Sequence, residues 1–181
     1  MKSFIMTLVV LSLAFMSRAQ TTKVSLEAGG LTCSMCSKAV LNALEEVENV
    51  DKVRVDIKNQ QYHISFQDDS KIDFDNIARA VEDAGFSVAG FIVNTEVKNT
   101  TLQKDSHIKI GNQYFHFLNA SNQKLDGSTS FTIVDKNFTS AKNYKKYSSM
   151  SKMECVQDGK ASSCCQADNV KEGTRIYHAI I

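Results

Sequence analysis

Two cysteines three residues apart, Cys33 and Cys36, lie in the stretch Gly30-Leu31-Thr32-Cys33-Ser34-Met35-Cys36. Thiolates at this spacing on a turn face one another across a single ion, and soft sulfur selects soft d¹⁰ ions, Cu(I) first. A closed structural zinc site takes four ligands. This loop offers two and holds no His or carboxylate to complete a tetrahedron, so two-coordinate Cu(I) fits better. Hg(II) favours the same pair, and spacing does not separate the two ions. Two other chemistries compete for a Cys-x-x-Cys: a plain disulfide, and thiol–disulfide exchange on a thioredoxin-like fold. The latter normally sets a cis-Pro against its dithiol, and the chain contains no Pro. Met35 between the two cysteines reads as a tolerated loop residue rather than a third ligand.

Three more cysteines follow far downstream, Cys155, Cys164 and Cys165, giving an odd total of five. Cys155 and Cys164 flank a polar, Gly-containing segment that can turn. In an oxidising compartment a disulfide from Cys155 to Cys164 or Cys165 is the expectation. The alternative is a second soft-metal site of Cys155, Cys164 and Cys165, aided by the thioethers of Met150 and Met153. Of the four histidines, His63 lies out of phase with its apolar neighbours and faces solvent. His107, His116 and His178 fall on separate expected strands and could converge, although strand histidines commonly serve packing or sit at the surface. No Ser-His-Asp order, paired-carboxylate site or phosphate loop is visible, and the expectation is a protein that is not an enzyme.

The elements that position the first loop are legible as periodicity. Val24, Leu26 and Ala28 alternate as a strand, and Gly29-Gly30 ends it. Val40, Ala43, Leu44 and Val47 mark one helical face over about 37–48. Val53, Val55 and Ile57, then Tyr62, Ile64 and Phe66, alternate about the polar turn 58–61 as a hairpin. Asp73 is an N-cap for a second helix, Gly85 its C′ residue, and a last strand runs from Phe86 to Val93. The order βαββαβ predicts a ferredoxin-like α+β domain. Cys36 then falls at a helix N-terminus, where free N–H groups and the macrodipole favour a thiolate.

This loop on this fold resembles the heavy-metal-associated domain family, which includes copper chaperones, the N-terminal domains of copper-transporting ATPases and the periplasmic mercury-binding protein. The family loop reads Gly-Met-Thr-Cys-x-x-Cys. Here Leu31 stands for the Met, while Thr32, Cys33 and Cys36 match, and Gly85-Phe86 matches the family's Gly-aromatic pair. The resemblance covers about residues 22–93. It implies metal binding by Cys33 and Cys36, support and shielding of the loop by Thr32 and Phe86, and ligand exchange with a metal-accepting protein such as a copper-transporting ATPase.

The remaining organisation follows from composition. The expected segments are a signal peptide over 1–19, the metal domain over 20–94, a polar linker over 95–106, and a small β-rich or α+β domain over 107–181. In the last, strands are expected at 107–110, 113–118, 130–134 and 175–181, with a loop at 119–127 and a short helix at 140–148. Lys2 precedes an apolar run from Phe4 to Met16, too short to span a bilayer, and Ser17-Arg18-Ala19 follows with small residues at −3 and −1. This pattern points to an exported, periplasmic or secreted protein with no membrane span after cleavage. At 181 residues, 43% hydrophobic and a net charge of +1, the chain lacks the basic excess that nucleic-acid binding needs.

Overall fold

The computed structural model describes residues 22–181; the expected signal peptide lies outside the described residues. Strand β1 (Lys23–Gly29) buries Val24, Leu26 and Ala28, as its alternation demands. Helix α1 (Ser34–Glu45) starts three residues before the expected Ser37, because Cys33 in extended conformation serves as its N-cap. Strands β2 (Val50–Asp56) and β3 (Gln61–Phe66) form the antiparallel hairpin. Helix α2 (Phe74–Asp83) is capped by the Asp73 carboxylate, which accepts from the N–H groups of Asp75 and Asn76. Gly85, at φ +88°, supplies the left-handed turn that releases the chain into β4 (Ser87–Leu102). The first half is thus the ferredoxin-like βαββαβ unit, its strands in the order β2-β3-β1-β4.

Beyond it the chain departs from expectation. The linker over 95–106 is a strand as far as Leu102, and no break separates two sheets. β4 continues past Val93 and pairs from Ile92 to Leu102 with β7 (Gln123–Ile133), which itself starts inside the expected loop over 119–127. The reason lies in the pairing. Val93, Thr95 and Val97 alternate inward on β4, and the hydroxyl of Thr95 meets that of Thr22 at 3.0 Å, so a polar residue occupies a core slot. A β4 edge left open would expose a row of unpaired N–H and C=O groups; β7 covers it. With β5 (His107–Ile110), β6 (Gln113–Phe117) and β8 (Ile176–Ile180), one eight-stranded sheet runs β2-β3-β1-β4-β7-β8-β6-β5, all antiparallel except β6 with β8. Helix α3 (Ala141–Ser148) lies in the expected place, with Lys142, Lys145 and Lys146 exposed.

Aromatic rings join the halves. Phe74 of α2 meets Phe91 of β4 at 5.6 Å and Tyr177 of β8 at 5.3 Å, both edge to face. Alternate residues of β6 and β8 divide between two apolar clusters. Phe115, Phe117, Tyr177 and Ala179 belong to the main core, whereas Tyr114 and Ile176, with Leu118 just past β6, join a smaller one with Cys155, Val156 and Cys165. That smaller cluster is closed by a segment of little regular structure, containing the one-turn helix α4 (Cys155–Asp158) and a 3₁₀ turn at Ser163–Asp168.

Candidate functional site

The loop between β1 and α1 carries the two sulfurs. Gly30, at φ +86°, turns the chain out of β1 in a conformation L side chains rarely adopt. Leu31 packs its side chain on the main core, while Cys33 is exposed and Cys36 half-buried. The Sγ of Cys33 accepts the Cys36 backbone N–H at 3.4 Å and lies 2.8 Å from the Cys36 Sγ. Thr32 Oγ1 stands 3.8 Å from that same Sγ. The Tyr62 hydroxyl of β3 donates to the Ser37 carbonyl at 3.1 Å and ties the first turn of α1 to the sheet. Met35 points outward, 72% exposed.

The environment favours a thiolate at Cys36. Its pKa falls to about 7, first through the hydrogen bond from Cys33 and then through the backbone and hydroxyl of Thr32. The first turn of α1 has no acidic side chain to offset the positive end of its dipole. Phe86 is half-buried, its Cδ1 3.9 Å from where a Cβ on Gly30 would stand, so a ring edge flanks the loop's entry. Two thiols within reach of one another, open to solvent on one side and pinned on the other, can hold one ion and release it to an incoming pair of ligands.

The downstream cysteines form a separate group. Cys155, Cys164 and Cys165 are free thiols, with sulfurs within 4.8 Å of one another. The polar stretch between Cys155 and Cys164 is not a hairpin turn: α4 ends at Gly159 in left-handed conformation, and the 3₁₀ turn presents the other two cysteines. Met150 is 46% exposed, and Met153 packs on the smaller apolar cluster. His63 is exposed, as expected, and meets Ser25 Oγ at 2.9 Å. The other three histidines are buried and stand in one cross-strand row, His107 opposite His116 and His116 opposite His178. The sequence holds only half of that signal. Alternation places each residue on a strand, but the register between strands distant in the chain is not written locally.

Comparison with known proteins follows the loop and its fold. A sequence profile for the heavy-metal-associated domain matches residues 25–87. The chain is 36% identical over 77 residues to a probable copper-exporting P-type ATPase of Archaeoglobus fulgidus, a match covering 41% of this chain and a tenth (10%) of that protein. It is 34% identical over 86 residues to the mercuric transport protein periplasmic component of Serratia marcescens, covering 48% of this chain and 93% of that one. The corresponding component of Pseudomonas aeruginosa is 40% identical over 68 residues, covering 38% and 74%. Among solved structures, oxidized MerP from Ralstonia metallidurans CH34 shares 38% identity at a TM-score of 0.34, covering 38% of this chain and 96% of that one. The profile match ends at residue 87, short of β5 to β8.

Proposed function

Because the chain belongs to the heavy-metal-associated domain family through residues 25–87, we propose that it is an exported carrier or scavenger of Cu(I). Cys33 and Cys36 hold one ion as two thiolates. The ion passes to a metal-accepting protein, such as a copper-transporting ATPase, by stepwise exchange of ligands. The observation that carries this is the loop itself: two accessible sulfurs 2.8 Å apart at the unopposed N-terminus of α1. A thiolate at Cys36 near neutral pH lets the ion bind without first displacing a firmly held proton. Export rests on the charged, apolar and small-residue order of the first nineteen residues. Among the described residues no helix is long and apolar enough to cross a membrane.

A second ion is favoured by a specific observation. The chain is 34–40% identical to the mercuric transport components named above, and Hg(II) takes the same two thiolates. Redox exchange at the same pair is the third reading. One experiment separates the three. Reduced protein, purified without oxygen, is titrated with Cu(I) against a strong Cu(I) chelator and separately with Hg(II) against a small thiol, with alkylation mapping of the occupied cysteines. One Cu(I) withheld from the chelator, with Cys33 and Cys36 protected, supports the carrier. Protection by Hg(II) alone would assign mercury, and catalytic reduction of a test disulfide by the metal-free protein would assign exchange.

Phe86 offers a narrower test of the loop. Its ring covers one flank of the Gly30 turn, so Phe86→Ala should let solvent and competing ligands reach the ion. Cu(I) release to a chelator is expected to quicken several-fold in stopped flow, with circular dichroism unchanged. An unfolded Phe86→Ala protein would make the residue a core member with no shielding role.

A further inference from the structure

We infer that the chain has a second, buried metal site, a tetrahedral zinc(II) centre held by His107 Nε2 and the sulfurs of Cys155, Cys164 and Cys165. It shares no ligand with the Cys33–Cys36 loop. The four ligand atoms come from three separate pieces of chain: β5, α4 and the 3₁₀ turn at Ser163–Asp168. His107 Nε2 lies 3.5 Å from the Cys155 sulfur and 3.5 Å from the Cys165 sulfur, and the Cys164 and Cys165 sulfurs are 3.6 Å apart. Around a tetrahedral zinc, with sulfur at about 2.3 Å and imidazole nitrogen at about 2.0–2.1 Å, neighbouring ligand atoms stand about 3.6–3.8 Å from one another. Three of the six edges match these values to within about 0.2 Å, and the three sulfurs all lie within 4.8 Å of one another, so closing the tetrahedron needs Cys164 to draw in toward Nε2.

The tautomer is already set for a metal. The Asp168 carboxylate takes both the backbone N–H of His107 and its Nδ1–H, each at 2.8 Å. Nε2 therefore turns a lone pair toward two sulfurs, in the carboxylate–histidine arrangement that orients metal-bound imidazole. A single lone pair accepts one S–H well, not two at once, so hydrogen bonding alone leaves the group under-satisfied. His116 strengthens the case. It is fully buried, neither ring nitrogen has a hydrogen-bond partner, and a ligand atom of its ring lies within 4.8 Å of those of His107 and Cys155. Its Nε2 approaches Asp105 at 3.4 Å without hydrogen-bonding geometry. A second imidazole thus stands beside the group as a wall or a replacement ligand.

A disulfide accounts for less of this. It would join two of the three sulfurs and leave the third thiol odd, and a Cys155–Cys165 bridge would also take both S–H donors from the Asp168-oriented lone pair. Four closed ligands also fit zinc better than a carried ion, because structural zinc sites are closed and transfer sites stay open. Loading replaces three thiol protons by the ion and releases them to solvent. The centre would pin the loosely structured segment around residues 149–175 to β5, which ties it down through few strand bonds of its own.

The test uses full-length Cys33→Ser, Cys36→Ser protein, so that any bound metal belongs to the second site and its absence leaves the loop's role untouched. One zinc per chain is expected after purification under reducing conditions. Cobalt(II) exchanged into the same protein should give the intense visible bands of tetrahedral cobalt and a sulfur-to-cobalt charge-transfer band. That readout needs no further substitution. Adding Asp168→Asn should lower zinc affinity about 10–100-fold with the fold retained, and adding Cys164→Ser should abolish stoichiometric zinc. Three results would each overturn the assignment: folded protein that takes up no zinc, bound cobalt with no sulfur band, or a peptide map in which Cys155 is bridged to Cys164 or Cys165. Copper in place of zinc at these ligands in the protein as purified would overturn the choice of ion.

Discussion

A Cys33→Ser, Cys36→Ser protein is expected to lose tight Cu(I) binding at the β1–α1 loop by more than about a thousandfold, about 4 kcal/mol, while folding as before. The size of the loss follows from the ligands. Serine hydroxyls are hard, protonated at neutral pH and poor partners for a soft ion, and the loop offers no other donor apart from the outward-pointing Met35. The retention of fold follows from the cap. Cys33 accepts the Cys36 N–H as the N-cap of α1, and serine is among the preferred residues there. Neither sulfur is part of the apolar core, and surface exchanges of this kind usually fall within about 0.5 kcal/mol. Chelator competition, corrected for ion held by Cys155, Cys164 and Cys165 through alkylation mapping, reads the effect. An unchanged affinity with both serines in place would mean that the ion sits elsewhere.

Why that loop could be found from the sequence, and the second group only in part, has a physical cause. Everything that positions Cys33 and Cys36 is local: a strand with period two, a Gly-Gly stop, a helix with period near four, and the Asp73 and Gly85 punctuation of α2. The contacts that bury Val24 against β3 and β4 follow once those elements exist. The continuation of β4 was hidden by chemistry. Thr95 fills a buried slot that alternation reserves for an apolar side chain, and the register shifts between Val97 and Thr100, so the stretch looks like a linker. The histidine row was hidden by topology. His116 and His178 are brought together by the parallel pairing of β6 with β8, across sixty residues of chain that include β7 and three short helical pieces. The cluster of three cysteines was visible as composition; the imidazole that completes it was not.

Replacing Arg175 by alanine is expected to cost about 2–3 kcal/mol and to weaken the join between the two halves of the sheet. Arg175 lies just before β8, and its guanidinium grips Asp75 of α2 through Nε at 2.7 Å and Nη2 at 2.9 Å. Nη1 lies 3.0 Å from Asp135 and donates to the Gly159 carbonyl at 3.2 Å. The plane rests on Tyr177, 4.2 Å from ring centre to guanidinium carbon. Burial opposes its charge, but the hydrogen bonds to Asp75 and the charges of Asp135 and Asp75 outweigh it and raise its pKa. At 29% exposure for Arg175 and 36% for Asp75, solvent screens part of the attraction, which keeps the figure below that of a fully buried pair. Most of the cost comes from the partners left behind: Asp135 is 11% exposed and already bonded to His178 Nδ1 at 2.7 Å, and it would lose its cation. Lysine should recover less than half, because a point charge cannot serve two carboxylates and lie flat on a ring at once. Urea unfolding followed by Tyr fluorescence and circular dichroism checks both the loss and its distribution. A continuous sheet with Phe74 and Arg175 bridging its halves should unfold in one transition in the parent protein, and Arg175→Ala should shift that transition or split it. A parent protein that unfolds in two separated steps would show the halves to be independent, and an Arg175→Ala midpoint within error of the parent would remove the clamp from the stability of the fold.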